Sequence, residues 1–183
     1  MSVKIKKLAL LAVGIALFVV LSLCLQVPVF ENYYLCLGYA VMAVYCYCFG
    51  TLSGTAVGFF GVILYCVVIS GLRGMPGWAL GNIVIGLGFG LALRLTREMK
   101  SKSLRFILLC LAVVAATALG ILGVKSLTEH LLYSQPFMVR VGKNFSAFVA
   151  DAAMLILSQP LCLALEKPAR RIFPELCTAP KGD

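Results

Sequence analysis

The stretch from Leu8 to Leu25 contains no charged residue, and the same pattern recurs along the chain, broken by short polar segments. A helix needs about 20 predominantly apolar residues to cross a bilayer. The chain's 183 residues would suit one soluble domain by length alone, but 62% are hydrophobic and 13% charged. A soluble domain is usually nearer half apolar and a quarter charged. The pattern therefore predicts one all-α integral membrane domain over residues 1–183.

Six spans are predicted, at residues 8–25, 35–49, 53–70, 79–93, 104–124 and 144–165. The opening "MSVKIKKLALLAVGIALF" has the shape of a signal peptide. No small-x-small cleavage site follows it and further spans do, so it reads as a retained first helix. The segment "FGTLSG" separates the second and third spans, and "RLTREMKSKSLR" the fourth and fifth. Residues 125–142 read as the longest non-apolar connection. The sixth span is expected to bend near Pro160.

Basic residues set the orientation, because cytoplasmic loops of membrane proteins carry an excess of Lys and Arg. With the N-terminus inside, the inner side receives Lys4, Lys6, Lys7, Arg94, Arg97, Lys100, Lys102, Arg105, Lys167, Arg170, Arg171 and Lys181. The outer side receives Arg73, Lys125, Arg140 and Lys143, a split of twelve to four of the chain's sixteen. Both termini are thus expected in the cytoplasm. Topology and anionic lipid account for the net charge of +9, and no nucleic-acid partner is called for.

Small residues repeat at four-residue spacing: Gly50, Gly54 and Gly58; Gly77 and Gly81; Gly86 and Gly90; Ala116 and Gly120. Such stripes let helix backbones approach closely in lipid and predict a compact bundle. "GLGFG" is not a dinucleotide fingerprint, since no strand precedes it. "GILGVKS" departs from a P-loop at Val124, where a glycine is required. Cys24, Cys46, Cys48, Cys66, Cys110 and Cys162 all lie in apolar runs and read as small packing residues. His130 is the only histidine and has no cysteine pair near it, so neither a metal site nor a cofactor is expected. There is no paired-carboxylate, Ser–His–Asp or Cys–His arrangement on which to build an enzyme.

Polar residues concentrate at the expected outer ends of the helices. Tyr33, Tyr34, Arg73, Trp78, Asn82, Arg140, Lys143, Asn144 and Asp151 mix aromatic faces with donors and acceptors, a combination that suits a small polar molecule. Asp151 lies seven residues after Asn144, so the two share a helical face about 20° apart. They are separated by roughly 10 Å along the axis. A carboxylate facing lipid at that depth costs roughly 2–3 kcal/mol or more, so the stripe should face the bundle interior. Two roles stay open for Asp151: contact with a ligand, or an ion pair with Arg140, Lys143 or Arg73 that only joins helices. Trp78 and Asn82 form an i, i+4 pair. Trp78 reads equally as a member of the interfacial aromatic belt, and Tyr33 and Tyr34 read as belt residues ahead of ligand contacts. Four outer basic residues against Glu31, Glu129 and Asp151 point to an anionic group on the ligand.

At this point the chain resembles the S components, the substrate-binding membrane subunits of energy-coupling factor (ECF) vitamin transporters. The resemblance covers nearly the whole chain in size, helix number and placement of the ends. "AVGIA", Ala12 to Ala16, is similar to the family's AxxxA coupling motif. "FGTLSGTAVGFFG" looks like its FGP-x-x-G-x-x-x-G stretch, with Thr51 where many members have proline. "PGWALGNIVIGLGFGLALR" looks like the start of its fourth helix.

The resemblance implies a subunit in the plasma membrane of a prokaryote. It would bind a vitamin or related micronutrient at the outer surface, dock on a T subunit carried by two cytoplasmic ATPases, and topple to release its cargo inside. It further implies that Ala12 and Ala16 form the docking face. The loops around Tyr33 and Tyr34 and from Arg73 to Trp78 would be gates, and Asn82, Asn144 and Asp151 would hold ligand. The rival readings are a facilitator without an ATPase partner and a small intramembrane enzyme acting on lipid.

Overall fold

The computed structural model describes residues 3–177 apart from 25, 26, 31, 32, 70, 97, 98 and 100; for residues 27–30, 33–35 and 102 it describes the backbone alone. Glu31, Asn32, Arg97, Lys100 and Lys181, and the span ends Leu25 and Ser70, lie outside the described residues. The helices are α1 (Val3–Cys24), α2 (Gly38–Phe49), α3 (Thr51–Val68), α4 (Met75–Thr96), α5 (Lys102–Thr117), α6 (Ser126–Tyr133), α7 (Phe137–Leu157) and α8 (Gln159–Ile172). A π-helical segment, Ala118–Lys125, joins α5 to α6.

Four helices are long and apolar enough to cross a membrane: Val3–Cys24, Thr51–Val68, Met75–Thr96 and Ser103–Tyr133. The bent pair α7 and α8 makes a fifth if counted as one span, while α2 is apolar but has only 12 residues. The chain is a multi-pass membrane protein, and its surface agrees: Leu8, Leu52, Leu95 and Met138 all point outward and are largely exposed.

Two local features differ from the sequence reading, and the bend expected near Pro160 is present. Residues 125–142, expected to form a connection, are mostly helical. Ser126 and Glu129 face inward while Leu127, Leu131 and Leu132 face out, so this is an amphipathic helix continuing α5. The turn before α2 contains a small antiparallel hairpin, β1 (Val27–Phe30) with β2 (Tyr33–Leu35), where Val27 pairs with Leu35. The last rod breaks at Ser158, two residues before Pro160, and bends by 44°. Proline has no N–H to give, which is tolerated in the first turn of α8. Ser158 Oγ donates to the Leu155 carbonyl at 2.7 Å, closing the end of α7.

Small residues set the packing. A side chain on Gly54 would collide with Cys46, on Gly58 with Met42, on Gly86 with Thr55 and on Gly90 with Thr51. These contacts clamp α3 between α2 and α4. Gly50, at φ 92°, makes the sharp reversal between α2 and α3, a conformation that side chains other than glycine disfavour. On α1 the buried face is Leu10, Gly14, Phe18 and Ser22, one helical turn apart. Phe18 fills the space at Gly61 of α3 and meets the Tyr39 ring edge-on at 6.2 Å. Tyr45 donates its hydroxyl proton to the Leu10 carbonyl at 2.9 Å.

The start of α1 and the segment after α8 come together. Lys6 of α1 pairs with Glu175 beyond α8 at 3.0 Å. The pair is half-exposed and contributes little stability. It does place the start of α1 and the segment after α8 at one end of the bundle. Tyr47, near the end of α2, donates to Glu166 of α8 at that same end.

Candidate functional site

The opposite end of the bundle holds a buried polar cluster built from four rods. Its centre is the Tyr39 hydroxyl, at the start of α2. Trp78 Nε1 donates to it at 2.9 Å, and it donates to Asn82 Oδ1 at 2.7 Å. Trp78 and Asn82 are one turn apart on α4, so one hydroxyl serves both. Asn82 is fully buried, and its Nδ2 donates to the Gly58 carbonyl of α3 at 3.0 Å. Tyr65 packs edge-on against the Trp78 ring at 5.6 Å.

Asp151 approaches this centre from α7. It is 5% exposed, and it interacts with the Tyr39 hydroxyl and with the Lys125 ammonium. The Tyr39 hydroxyl thus gives its proton to Asn82 Oδ1 and has the Asp151 carboxyl as a further neighbour. Lys125 closes the π-helical segment and lies over the Trp78 ring, with Nζ 5.9 Å from its centroid. A cation over an aromatic face is attracted to the ring's negative face. One turn of α6 further on, Asn144 Nδ2 donates to Ser126 Oγ and to Glu129 Oε2, both at 3.0 Å. Arg140 faces the same Glu129 oxygen at 3.7 Å, and its buried Nε has no hydrogen-bond partner among the described residues.

Of the residues expected from sequence, Trp78, Asn82, Arg140, Asn144 and Asp151 come together here. The shared face of Asn144 and Asp151 does point inward. Among the described residues Asp151 forms no ion pair with Arg140, Lys143 or Arg73: the cation whose charge acts on it is Lys125, on the neighbouring rod, and Arg140 faces Glu129. Lys143 is exposed on α7 and stands apart from the cluster. Arg73 is exposed too. Its guanidinium lies over the Tyr133 ring at 5.4 Å, and the Tyr133 hydroxyl donates to the Arg73 carbonyl. These two contacts tie the α3–α4 loop to α6 at this end of the bundle. Tyr33 and Tyr34 lie on β2, which packs against α7, and their side chains lie outside the described residues. Ala12 and Ala16 are remote from the cluster, on the exposed face of α1.

Tyr39, Lys125, Ser126 and Glu129 were not assigned from sequence. With them the cluster's charges balance, Lys125 and Arg140 against Glu129 and Asp151. The excess of positive charge that pointed to an anionic ligand belongs to the exposed Arg73 and Lys143 instead. Among the described residues no three His, Cys, Asp or Glu side chains come together as a metal ion would need.

The fold and cluster define a class: a helical membrane protein with a buried aromatic and polar site at one end and a small-residue face on its first helix. Comparison with known proteins narrows this. Residues 2–167 match the family described as ECF-type riboflavin transporter, S component, and the chain belongs to that family. A UPF0397 protein of Streptococcus thermophilus (strain ATCC BAA-491 / LMD-9) is 27% identical over 165 residues, covering 86% of this chain and 88% of that protein. A UPF0397 protein of Vibrio atlanticus (strain LGP32) is 30% identical over 160 residues, covering 85% and 87%. The family is one of transporter subunits rather than enzymes.

Proposed function

We propose that this chain is the substrate-binding subunit of an ECF transporter in a prokaryotic plasma membrane, and that the cluster around Tyr39 and Asp151 is its vitamin site. The observation that carries the reading is the meeting of Trp78, Asn82 and Asp151 on one tyrosine hydroxyl inside a chain of this family. Aromatic faces with a few fixed polar groups are what a flat, hydrogen-bonding ring compound needs. The balanced charge favours a ligand without net charge, and riboflavin, for which the family is described, is the first compound to try.

In this reading six rods cross the membrane with both ends in the cytoplasm, which puts the cluster outside. The Arg73–Tyr133 clasp and the β1–β2 hairpin gate it. The exposed Ala12 and Ala16 face of α1 docks on the T subunit, which two ATPases drive. The charge asymmetry and the meeting of Lys6 with Glu175 support that arrangement.

The test is mass spectrometry of small molecules retained by the purified protein, with titration of riboflavin by fluorescence quenching. A retained ring compound that Asp151→Asn releases is the expected result. No retained compound together with unquenched riboflavin overturns the reading.

A further inference from the structure

The end of the bundle where Lys6 meets Glu175 has a groove of its own. It has a volume of 370 Å³ and opens between α4, α5 and α8. Its origin is the 44° bend between α7 and α8. The bend lays α8 against α2, while α5 stays packed on α4 and α7, and the space between α5 and α8 is left open.

The floor is apolar, with Phe89 and Leu93 of α4 and Leu109 of α5. Phe106 and Leu163 form the rim and are 51% and 60% exposed. Arg105 sits at the end nearest the start of α5, half-buried, one turn before Leu109. Among the described residues no carboxylate pairs with it. The acidic group nearby, Glu166, is already held by Arg170 at 2.8 Å and by the Tyr47 hydroxyl at 3.0 Å. The flank around the opening is apolar and exposed at Leu104, Ile107 and Leu111, as a surface facing lipid chains must be.

We propose that this groove holds one acyl chain of an anionic phospholipid, with the Arg105 guanidinium on its phosphate. A planar guanidinium matches phosphate geometry with two parallel hydrogen bonds. An apolar trough ending in one unpaired arginine reproduces the division of such a lipid into tail and headgroup. Basic pockets between helices at a membrane face are a general means of holding anionic lipid. The inference uses the proposed orientation only to say that the inner leaflet supplies the lipid.

Native mass spectrometry of the purified chain tests it, with dioleoyl phosphatidylglycerol or dioleoyl phosphatidylcholine added in equal amount and no vitamin or partner subunit present. The expected result is one phosphatidylglycerol retained per chain in preference to phosphatidylcholine. Arg105→Gln should lower that retention about fivefold, the effect of one basic side chain at an anionic surface, without changing the melting temperature. Leu163→Trp, at an exposed position where folding is not at risk, should fill the rim and lower retention of both lipids. Equal retention of the two lipids by the unaltered protein overturns the proposal, as does unchanged phosphatidylglycerol retention in Leu163→Trp. Because no vitamin is present, failure here leaves the vitamin site standing, and failure of the riboflavin titration leaves the lipid groove standing.

Discussion

Gly81 of α4 and Gly120 of the π-helical segment face each other so closely that a side chain on either would lie 2.7 Å from the other's carbonyl oxygen. This contact sets the distance between Trp78 and Asn82 on one rod and Lys125 on the other. In lipid, where apolar side chains gain little by leaving the solvent, such backbone contact is a main source of helix association.

Gly81→Val should therefore lower the melting temperature in detergent, at a cost of about 1–3 kcal/mol for overpacking. Ligand affinity should fall with it, since the cluster spans the two rods. Gly142→Ala is the control, because nothing lies within 4 Å of a side chain added there. It should be neutral or stabilising by about 0.5–1 kcal/mol. Equal melting of Gly81→Val and the unaltered protein would show that the rods separate freely.

Tyr39→Phe keeps the ring against Phe18 and removes the hydroxyl. Trp78 Nε1, half-buried, loses its acceptor, and Asn82 Oδ1, fully buried, loses its donor. The expected loss of stability is about 1–3 kcal/mol, the cost of leaving buried polar groups unpaired. Thermal unfolding without ligand measures it. A change well under that range would mean that Asn82 and Trp78 find other partners.

How far the site was legible depended on whether its parts lie on one helix. Asn144 and Asp151 share a face by their seven-residue spacing, and Trp78 and Asn82 by their four-residue spacing, so both pairs could be read directly. Tyr39 could not be, because in "CLGYAVM" it looks like any apolar core aromatic. Its role arises from the approach of α2 to α4, a contact between residues 43 apart. Lys125 was legible as an outer charge but not as the neighbour of Asp151. The π-helical turn before it breaks the 100° step on which face arguments rest, with Ser126 Oγ donating five residues back to Ile121. The polarity of residues 126–133 reads in the sequence as a connection. Their inward Ser126 and Glu129 mark instead a helix with lipid on one side and the cluster on the other.

Ala12→Trp or Ala16→Trp should abolish uptake in cells while leaving ligand binding by the purified protein unchanged. Both positions are exposed on α1, away from the cluster, so the fold has no need of a small residue there. A docking partner does, because a large ring would hold two helix backbones apart. Normal uptake by a complex that still assembles would remove the docking role from this face.

The orientation can be checked at Cys177, which is partly exposed beyond α8. A membrane-impermeant thiol reagent applied to intact cells should label the unaltered protein and Cys177→Ser equally. Opening the cells should reveal additional labelling in the unaltered protein alone. Labelling of Cys177 from outside would reverse the topology and move the cluster to the cytoplasmic face.

Asp151→Asn tests the site most directly. The change keeps the shape and much of the hydrogen-bonding capacity and removes the charge. If the carboxylate serves the ligand, affinity should fall by about 1–3 kcal/mol, the range for a charge-assisted hydrogen bond. The ligand-free melting temperature should change little, because Glu129 still acts on Lys125. If Asp151 only neutralises Lys125, removing one partner should destabilise the fold, since breaking a buried pair leaves an uncompensated charge. Lys125→Met combined with Asp151→Asn then recovers the loss, because both charges have gone. Melting temperature and dissociation constant, measured on the same purified variants, separate these outcomes. A lower melting temperature with unchanged affinity, rescued in the double variant, would leave Asp151 a helix-joining residue and take it out of the proposed site.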